Sequence, residues 1–133
     1  MPSRTETLPI QSASDIVAAR QKVRQWALEM KFSLVDQTKI VTAASELARN
    51  TLQHGGGGKM AISLEENGIH QGLRMVFEDT GPGIADVEQA MRDGYTTGGG
   101  MGLGLSGSKR LMNQFEIQTK VGEGTRVTVT RWK

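Results

Sequence analysis

The sequence predicts an α+β fold of two layers, in which helices cover one face of a mostly antiparallel sheet. Two segments near the N-terminus repeat apolar residues at helical spacing, and two later pairs of segments alternate apolar and polar residues. Short turns join the two members of each pair, and a parallel pair would need a crossover of a dozen or more residues. The length of 133 residues suits one domain spanning 1–133.

The N-terminal part predicts a strand followed by a helix. Residues 5–11 are typical of a short edge strand, because Pro9 lacks the N–H that a central strand needs. About the first eight residues are expected to be flexible or to belong to this strand. Ser14 is the expected N-cap of a helix whose apolar residues recur up to Met30.

A second helix and a hairpin come next. Ser33 and Asp36 have the spacing of a capping box, and the helix they begin should end at the glycines after His54. Residues 59–66 alternate as a strand does, and Asn67-Gly68 is a strong hairpin signal.

The C-terminal part predicts a long glycine-rich segment, a helix and a second hairpin. Residues 84–104 are weakly periodic, with room for a short helix at 86–91, and long segments of this kind are commonly lids or binding loops. A helix over about 103–113 precedes strands at 115–121 and 125–132.

Composition excludes several functional classes. Sixteen Lys and Arg against fourteen Asp and Glu give a net charge of +2, too small an excess to favour nucleic acid or a membrane surface. The absence of cysteine excludes thiolate metal sites and a cysteine nucleophile, and the two histidines lack the spacing of metal ligands. The N-terminus lacks the apolar core of a signal peptide and no apolar run could span a membrane, so a cytoplasmic protein is expected.

Two short motifs carry potential chemistry. Glu46 and Asn50 share a helix face, where a carboxylate can serve as a base and an amide oxygen can bind Mg²⁺, although such a pair alone is usually a solvated face. Asp79-x-Gly81-x-Gly83 follows an apolar strand, and its carboxylate could accept from an amino group in a pocket. An ordinary Gly-Pro-Gly turn is the simpler interpretation of that motif alone.

A third motif lies before the last helix. The glycines from Gly98 to Gly104 could offer backbone N–H groups to a phosphate, with the helix dipole assisting. The overlapping G-x-G-x-x-G pattern lacks the preceding strand of a dinucleotide site, and serine stands where a P-loop has its lysine. Both of those alternatives are therefore rejected.

The order of the motifs is more specific than any one of them. The chain resembles the GHKL ATPase superfamily, whose N, G1, G2 and G3 boxes match, in order, Glu46-x-x-x-Asn50, Asp79-x-Gly81-x-Gly83, Gly100-x-Gly102-x-Gly104 and Gly122-x-Gly124-Thr125. The resemblance covers about residues 10–133 and implies the Bergerat ATP-binding fold, with residues 84–104 as the ATP lid.

The resemblance implies a role for each matching residue. Asp79 would accept from the adenine amino group, with Thr125 nearby, and Gly81 and Gly83 would let the backbone approach the base. Asn50 would bind the Mg²⁺ that bridges the ATP phosphates, and Glu46 would be the catalytic base. The phosphates would be held by backbone N–H groups of Gly100, Gly102 and Gly104. The roles of Arg49 and Lys109 stay open.

Within the superfamily, the chain is similar to the RsbT-type serine/threonine switch kinases. The similarity lies in the amino-acid sequence of four segments, residues 15–20, 45–50, 78–84 and 93–97. It implies ATP-dependent phosphorylation of a serine on an STAS-domain antagonist in stressosome-type partner switching, and activation of a PP2C-type phosphatase. The related RsbW type would instead hold a sigma factor, so an anti-sigma factor or an ATP-dependent binding module is the alternative.

Retention of Glu46 favours the kinase, because a binding module needs Asn50 and Asp79 but no base. A histidine-kinase fragment is a weaker interpretation, since the phosphoacceptor helices are missing from the pattern. The sequence leaves the oligomeric state open, with a homodimer as one option.

Overall fold

A computed structural model of the chain describes residues 4–85, 87, 91 and 104–133. Within these residues the helices and strands follow one another in this order: β1 Thr5–Ile10, α1 Ala13–Glu29, α2 Leu34–Gln53, β2 Gly58–Asn67, β3 His70–Asp79, α3 Gly104–Leu111, β4 Gln114–Lys120 and β5 Gly124–Trp132. None of the helices described is both long and apolar enough to cross a membrane.

The five strands form one sheet in the order β1-β2-β3-β5-β4, and every neighbouring pair is antiparallel. The strand that contains Pro9 lies at an edge, as the sequence predicted. Met60, Phe77 and Val127 are aligned across three strands and belong to the same buried cluster as the helices. The next row on the opposite face includes Lys59 and Arg126, which are exposed. The helices therefore cover one face, and the predicted α+β class is confirmed.

The N-cap of helix α1 lies two residues before the predicted one. Ser12, not Ser14, is the N-cap, and its Oγ accepts from the Asp15 N–H at 3.3 Å. Asp15 in turn accepts from the Gln11 N–H at 2.8 Å, so the two side chains satisfy backbone donors reciprocally. This reciprocal pair requires an acidic residue three positions after the N-cap, and Asp15 stands at that position relative to Ser12.

The predicted start of α2 is confirmed. Ser33 is the N-cap, and its Oγ accepts from the Asp36 N–H at 3.1 Å. The helix ends at Gln53 with His54 as its C-cap, directly before the glycines.

The β2–β3 hairpin is confirmed with a shifted turn. Asn67 belongs to the strand and pairs with His70, so the loop consists of Gly68 and Ile69. Gly68 has a φ of 65°, and glycine at the first loop position is the pattern of a type II′ turn.

The last helix is shorter than the predicted 103–113. It ends at Leu111 because Asn113 pairs with β5. The Asn113 N–H donates to the Thr130 carbonyl at 3.0 Å, and the Asn113 Oδ1 accepts from the Trp132 N–H at 2.6 Å. Most of the predicted lid and short helix lie outside the described residues. Two residues of this segment that are described, Val87 and Met91, have the spacing of a helix, and the Met91 N–H donates to the Val87 carbonyl at 2.9 Å.

Strand β1 is held against α1 by Arg4. Its guanidinium lies 4.1 Å from the centre of the buried Trp26 ring and donates to Glu29 at 2.6 Å. The hydrogen bond from Arg4 lowers the pKa of the Glu29 carboxyl below its ordinary value, with a smaller contribution from Gln25. The edge strand is thus anchored by a stacked and ion-paired cation.

Arg131 connects three elements at the end of the sheet that is remote from Asp79. Its guanidinium donates to the Asp36 carboxylate at 2.8 Å and to the Leu111 carbonyl, the last of α3, at 3.2 Å. Only 17% of the Arg131 side chain is exposed, so these bonds lie largely away from water. Arg131 therefore links β5 to the first turn of α2 and satisfies an orphan carbonyl of α3.

We expect Arg131→Met to lower the free energy of unfolding by about 2 kcal/mol, because it keeps the apolar stem but removes hydrogen bonds to a charged group. Urea denaturation would measure the change. Arg126→Met, an exposed position on the same strand, is the matched control and should change stability by less than about 0.5 kcal/mol. Equal effects of the two substitutions would contradict a role for the Arg131 contacts.

Candidate functional site

A row of residues crosses the sheet at the end where β3 stops. Asp79, the last residue of β3, pairs with Thr125 on β5, which pairs with Thr119 on β4. On its other side Asp79 pairs with Gly58 of β2. Paired residues have Cβ atoms about 5 Å apart, so the three side chains are neighbours. They point to the same face as Phe77 and Val127, which is the face that the helices cover.

Asp79 is held by the loop that follows it. Its Oδ1 accepts from the Gly81 N–H at 3.0 Å, and the side chain is half-buried. Gly55, after the end of α2, lies so close that a Cβ there would overlap the Asp79 carboxyl group. A Cβ on Gly81 would lie 2.6 Å from the Gly55 carbonyl oxygen. The end of α2 and the loop after β3 are therefore packed backbone to backbone around the carboxylate.

With Asp79 in the adenine-binding role that the resemblance implies, we expect Gly55→Ala to reduce ATP affinity at least about tenfold, because the added Cβ forces the Asp79 carboxyl group to move. Titration calorimetry with a non-hydrolysable ATP analogue would measure the loss. Gly68→Ala is the control: its φ of 65° makes alanine strained, but Gly68 lies in the hairpin at the opposite end of β2 and β3. It should lower stability and leave affinity unchanged, and wild-type affinity in Gly55→Ala would contradict the close packing.

Three hydrogen bonds fix the loop from Gly81 to Ile84. His54 Nε2 lies 3.1 Å from the Gly83 carbonyl oxygen, which can only accept, so Nε2 is the donor in this hydrogen bond. The Pro82 carbonyl accepts from the Gly122 N–H at 2.8 Å, and the Ile84 N–H donates to Thr119 Oγ1 at 2.8 Å. Gly83 itself has a φ of 76°, and a Cβ there would overlap the Lys120 carbonyl.

The carboxylate of Glu46 is held on α2 by Arg49. Arg49 Nη1 donates to Glu46 Oε1 at 2.6 Å, and the side chain of Glu46 is 12% exposed. Asn50 is half-buried one turn further on and about 6 Å along the helix axis, on the same face. Four residues later the helix reaches its C-cap, His54, beside the Gly55 that touches Asp79.

The structure brings some of the predicted residues together but not all. Asp79, Gly81 and Thr125 lie in contact or in register, and Gly83 is tied to the same helix end through His54. Glu46 and Asn50 are connected to them through α2. Gly104 begins α3, which packs against α2, whereas Gly100 and Gly102 lie outside the described residues. Lys109 is exposed on α3.

Three residues at this end of the sheet were missed by the sequence analysis. Gly55 was treated there only as part of the glycine run that ends α2, and His54 was considered only as a metal ligand, a role that was rejected. Thr119 was assigned no role. Gly55 had a detectable signal, because its glycine run continues into the strand that pairs with Asp79. The contacts of His54 and Thr119 join positions 29 and 35 residues apart, which no local pattern encodes.

An open cleft of about 380 Å³ adjoins the row. The residues that line it come from the ends of β3 and β4 and the start of β5 and their turns: Glu78, Asp79, Thr80, Gln118, Thr119, Lys120, Glu123, Gly124, Thr125 and Arg126. Three of them, Glu78, Gln118 and Arg126, belong to the next row, on the opposite face of the sheet, so the cleft reaches that face at the end of the strands.

The family model of the histidine kinase-, DNA gyrase B- and HSP90-like ATPases matches residues 35–133 of the chain. This range includes Glu46, the glycine motifs, and the row formed by Asp79, Thr125 and Thr119. The chain therefore belongs to this ATPase family, the GHKL superfamily, and its Asp79–Thr125 row and α2 are parts of an ATP-binding fold.

Within the family the chain groups with the serine/threonine-protein kinases. It is 47% identical to the serine/threonine-protein kinase RsbT of Bacillus subtilis (strain 168) over 118 residues, 89% of each chain. It is also 29% identical to an anti-sigma F factor of Thermoanaerobacter sp. (strain X514) over 119 residues, 86% of this chain and 82% of the other.

Two solved structures share the fold. The RsbU and RsbW domains of a Mycobacterium tuberculosis protein match 98% of this chain with a TM-score of 0.62 and 20% identity, and the match spans 32% of that longer chain. The SiaB–SiaC complex from Pseudomonas aeruginosa matches 99% of this chain and 91% of the other, with a TM-score of 0.55 and 12% identity. At these identities the likeness concerns the fold.

Proposed function

We propose that this kinase transfers the γ-phosphate of ATP to a serine of an STAS-domain antagonist protein, and that its release from that partner lets it activate a PP2C-type phosphatase. One observation carries the proposal. The helix that bears Glu46 and Asn50 ends at Gln53, and Gly55, two residues further on, contacts the Asp79 carboxyl group. The residues that we assign as base, metal ligand and nucleobase acceptor therefore lie on elements that contact one another.

Asp79 is assigned to the adenine amino group. Its Oδ1 accepts from the Gly81 N–H, and its second oxygen, Oδ2, is the acceptor that we assign to the amino group. Thr125 is its neighbour in register and would contact the base directly or through a water molecule. Gly81 and Gly83 present backbone without a Cβ at two positions of this loop, which supports their contact with the base.

Asn50 is the residue assigned to Mg²⁺. Among the described residues no three His, Asp or Glu side chains cluster as a metal site, and Asn50 offers a single amide oxygen. That suits Mg²⁺, which commonly takes one or two protein oxygens and completes its shell with substrate phosphates and water. The amide oxygen of Asn50 is a hard donor of the right kind. When bound, the ion would neutralise charge on the phosphates.

The remaining roles concern the phosphates and the serine. Gly104, at the first turn of α3, is placed where helix N–H groups are unpaired, and Gly100 and Gly102 are assigned to the same cradle. Glu46 is assigned as the base for the serine hydroxyl. Its Oε1 is engaged by Arg49, and this contact orients the carboxylate on the face that it shares with Asn50.

Incubation with Mg-ATP and a candidate STAS-domain protein, followed by mapping of the phosphorylated residue, would test the proposed function. We expect one serine to be modified at a stoichiometry near one. ATP turnover without transfer to any STAS-domain protein would contradict the assigned substrate class.

A second candidate function is sequestration of a sigma factor, and the similarity to anti-sigma F factors favours it. The two functions differ in their dependence on Glu46. Sequestration should survive Glu46→Gln, whereas phosphorylation should not. A pull-down of a sigma factor from purified components, with and without ATP, would separate them.

A further inference from the structure

The hydroxyl group of Thr119 has three polar neighbours, one from the loop after β3 and two from the start of β5. Thr119 Oγ1 accepts from the Ile84 N–H at 2.8 Å, lies 3.1 Å from the Gly124 carbonyl oxygen and lies 2.9 Å from Thr125 Oγ1. Thr119 is half-buried and lines the cleft together with Asp79.

Only one arrangement of protons satisfies all three neighbours. A hydroxyl group has one proton to donate and two lone pairs. The Gly124 carbonyl can only accept, so it takes the Thr119 proton, and the Ile84 N–H can only donate. The remaining contact is satisfied only if the Thr125 hydroxyl donates to Thr119. The proton of Thr125 then points away from Asp79, and lone pairs of Thr125 are left for a ligand.

We infer that Thr119 is a specificity-determining positioning residue, which fixes Thr125 as a hydrogen-bond acceptor and so makes the row Asp79–Thr125 select a 6-amino purine over a 6-oxo purine. This inference rests on the proposed function of the row as the nucleobase site. Adenine presents an amino donor at position 6, whereas guanine presents a carbonyl acceptor there. The Asp79 carboxylate and an acceptor-only Thr125 hydroxyl group can both accept from the amino group of adenine. They disfavour the carbonyl group of guanine, because an acceptor that faces another acceptor is left unpaired and desolvated.

The effect of Thr119 acts on the choice of base and not on nucleotide affinity alone. Loss of the Ile84 contact would loosen the loop after β3 and weaken ATP and GTP alike. Loss of the Thr125 contact would free a hydroxyl proton that can turn and donate to a 6-oxo group. The ratio of the two affinities therefore isolates the second effect from a merely structural one.

The test is Thr119→Val, which keeps the shape and the β-branching but removes the hydroxyl group. Calorimetry with non-hydrolysable ATP and GTP analogues should show that the preference for ATP falls about tenfold, the size expected when one unpaired polar group is relieved. Thr119→Ser restores the hydroxyl group and should return the ratio to within about twofold of wild type. Thr128→Val, on the same strand as Thr125 but the opposite face, is the matched control.

A folded Thr119→Val protein with the wild-type ratio overturns the inference while the proposed function stands. If the wild-type protein binds neither ATP nor GTP analogue, the nucleobase site and the inference both fail. Should Thr119→Val not fold, inosine triphosphate with the wild-type protein decides, since it carries the 6-oxo group without the 2-amino group. It should be rejected as strongly as GTP, and binding as tight as that of ATP overturns the acceptor-only arrangement.

Discussion

Asp79→Asn is expected to weaken ATP binding about ten- to a hundredfold, the loss of one hydrogen bond to a charged group. The geometry makes the substitution more severe than its size suggests. The Gly81 N–H already donates to Oδ1 at 3.0 Å. An amide that keeps this bond with its oxygen must present its NH₂ group to the adenine amino group, donor against donor. An amide that turns the other way leaves the Gly81 N–H facing a donor.

Calorimetry with a non-hydrolysable ATP analogue measures the effect. Glu116→Gln, the same carboxylate-to-amide change at an exposed position of β4, is the control and should leave affinity unchanged. Circular dichroism establishes that both variants are folded. Wild-type affinity in a folded Asp79→Asn protein would place the nucleobase elsewhere.

The parts of the fold that local chemistry determines were predictable from the sequence. The structure contains three elements that local patterns predicted. The period-two alternation predicted β2, Ser33 with Asp36 three residues later predicted the start of α2, and the glycine after Asn67 predicted the hairpin turn. The errors are local as well. The N-cap was predicted at Ser14 but lies at Ser12, because two candidate serines lie two residues apart. Only Ser12 has Asp15 three positions after it, where the carboxylate accepts a hydrogen bond from the backbone before the helix.

The candidate site was predictable only where its residues fall in short motifs. Asp79 and Thr125 were found through the glycines beside them, yet their adjacency depends on the pairing of β3 with β5, strands separated in the chain by α3 and β4. Thr119 has no glycine beside it, and its three contacts exist only once β4 and β5 are in register. Sequence motifs thus mark residues whose backbone is special, and they miss residues whose side chains act through tertiary contacts.

Arg49 illustrates a role that the sequence left open and the structure specifies in part. Residues three apart on a helix are neighbours, so the pairing of Arg49 with Glu46 could have been anticipated. Its short distance of 2.6 Å, with Glu46 only 12% exposed, could not. This contact makes the Glu46 carboxylate an oriented group, which is the property that a proton acceptor in phosphoryl transfer needs.

Glu46→Gln is expected to reduce the rate of phosphoryl transfer to the acceptor serine about 10²- to 10⁴-fold, the usual cost of losing a general base. The amide keeps the size of the side chain and can still accept from Arg49 through its oxygen, but it cannot take a proton. Affinity for Mg-ATP should change little, because the nucleotide contacts are assigned to Asn50, Asp79 and the glycines. Asn50→Ala should instead weaken Mg-ATP binding and transfer together.

Single-turnover transfer from labelled ATP measures the rate, and a pull-down of the STAS-domain protein measures the complex. Glu29→Gln is a close control, since Glu29 also lies on a helix and also pairs with an arginine at 2.6 Å, but on α1. It should transfer at the wild-type rate. With Glu46→Gln the complex should form and outlive that of the wild type, because phosphorylation no longer releases the partner. Transfer at the wild-type rate by Glu46→Gln would remove this carboxylate from the mechanism and make Arg49 the next residue to test.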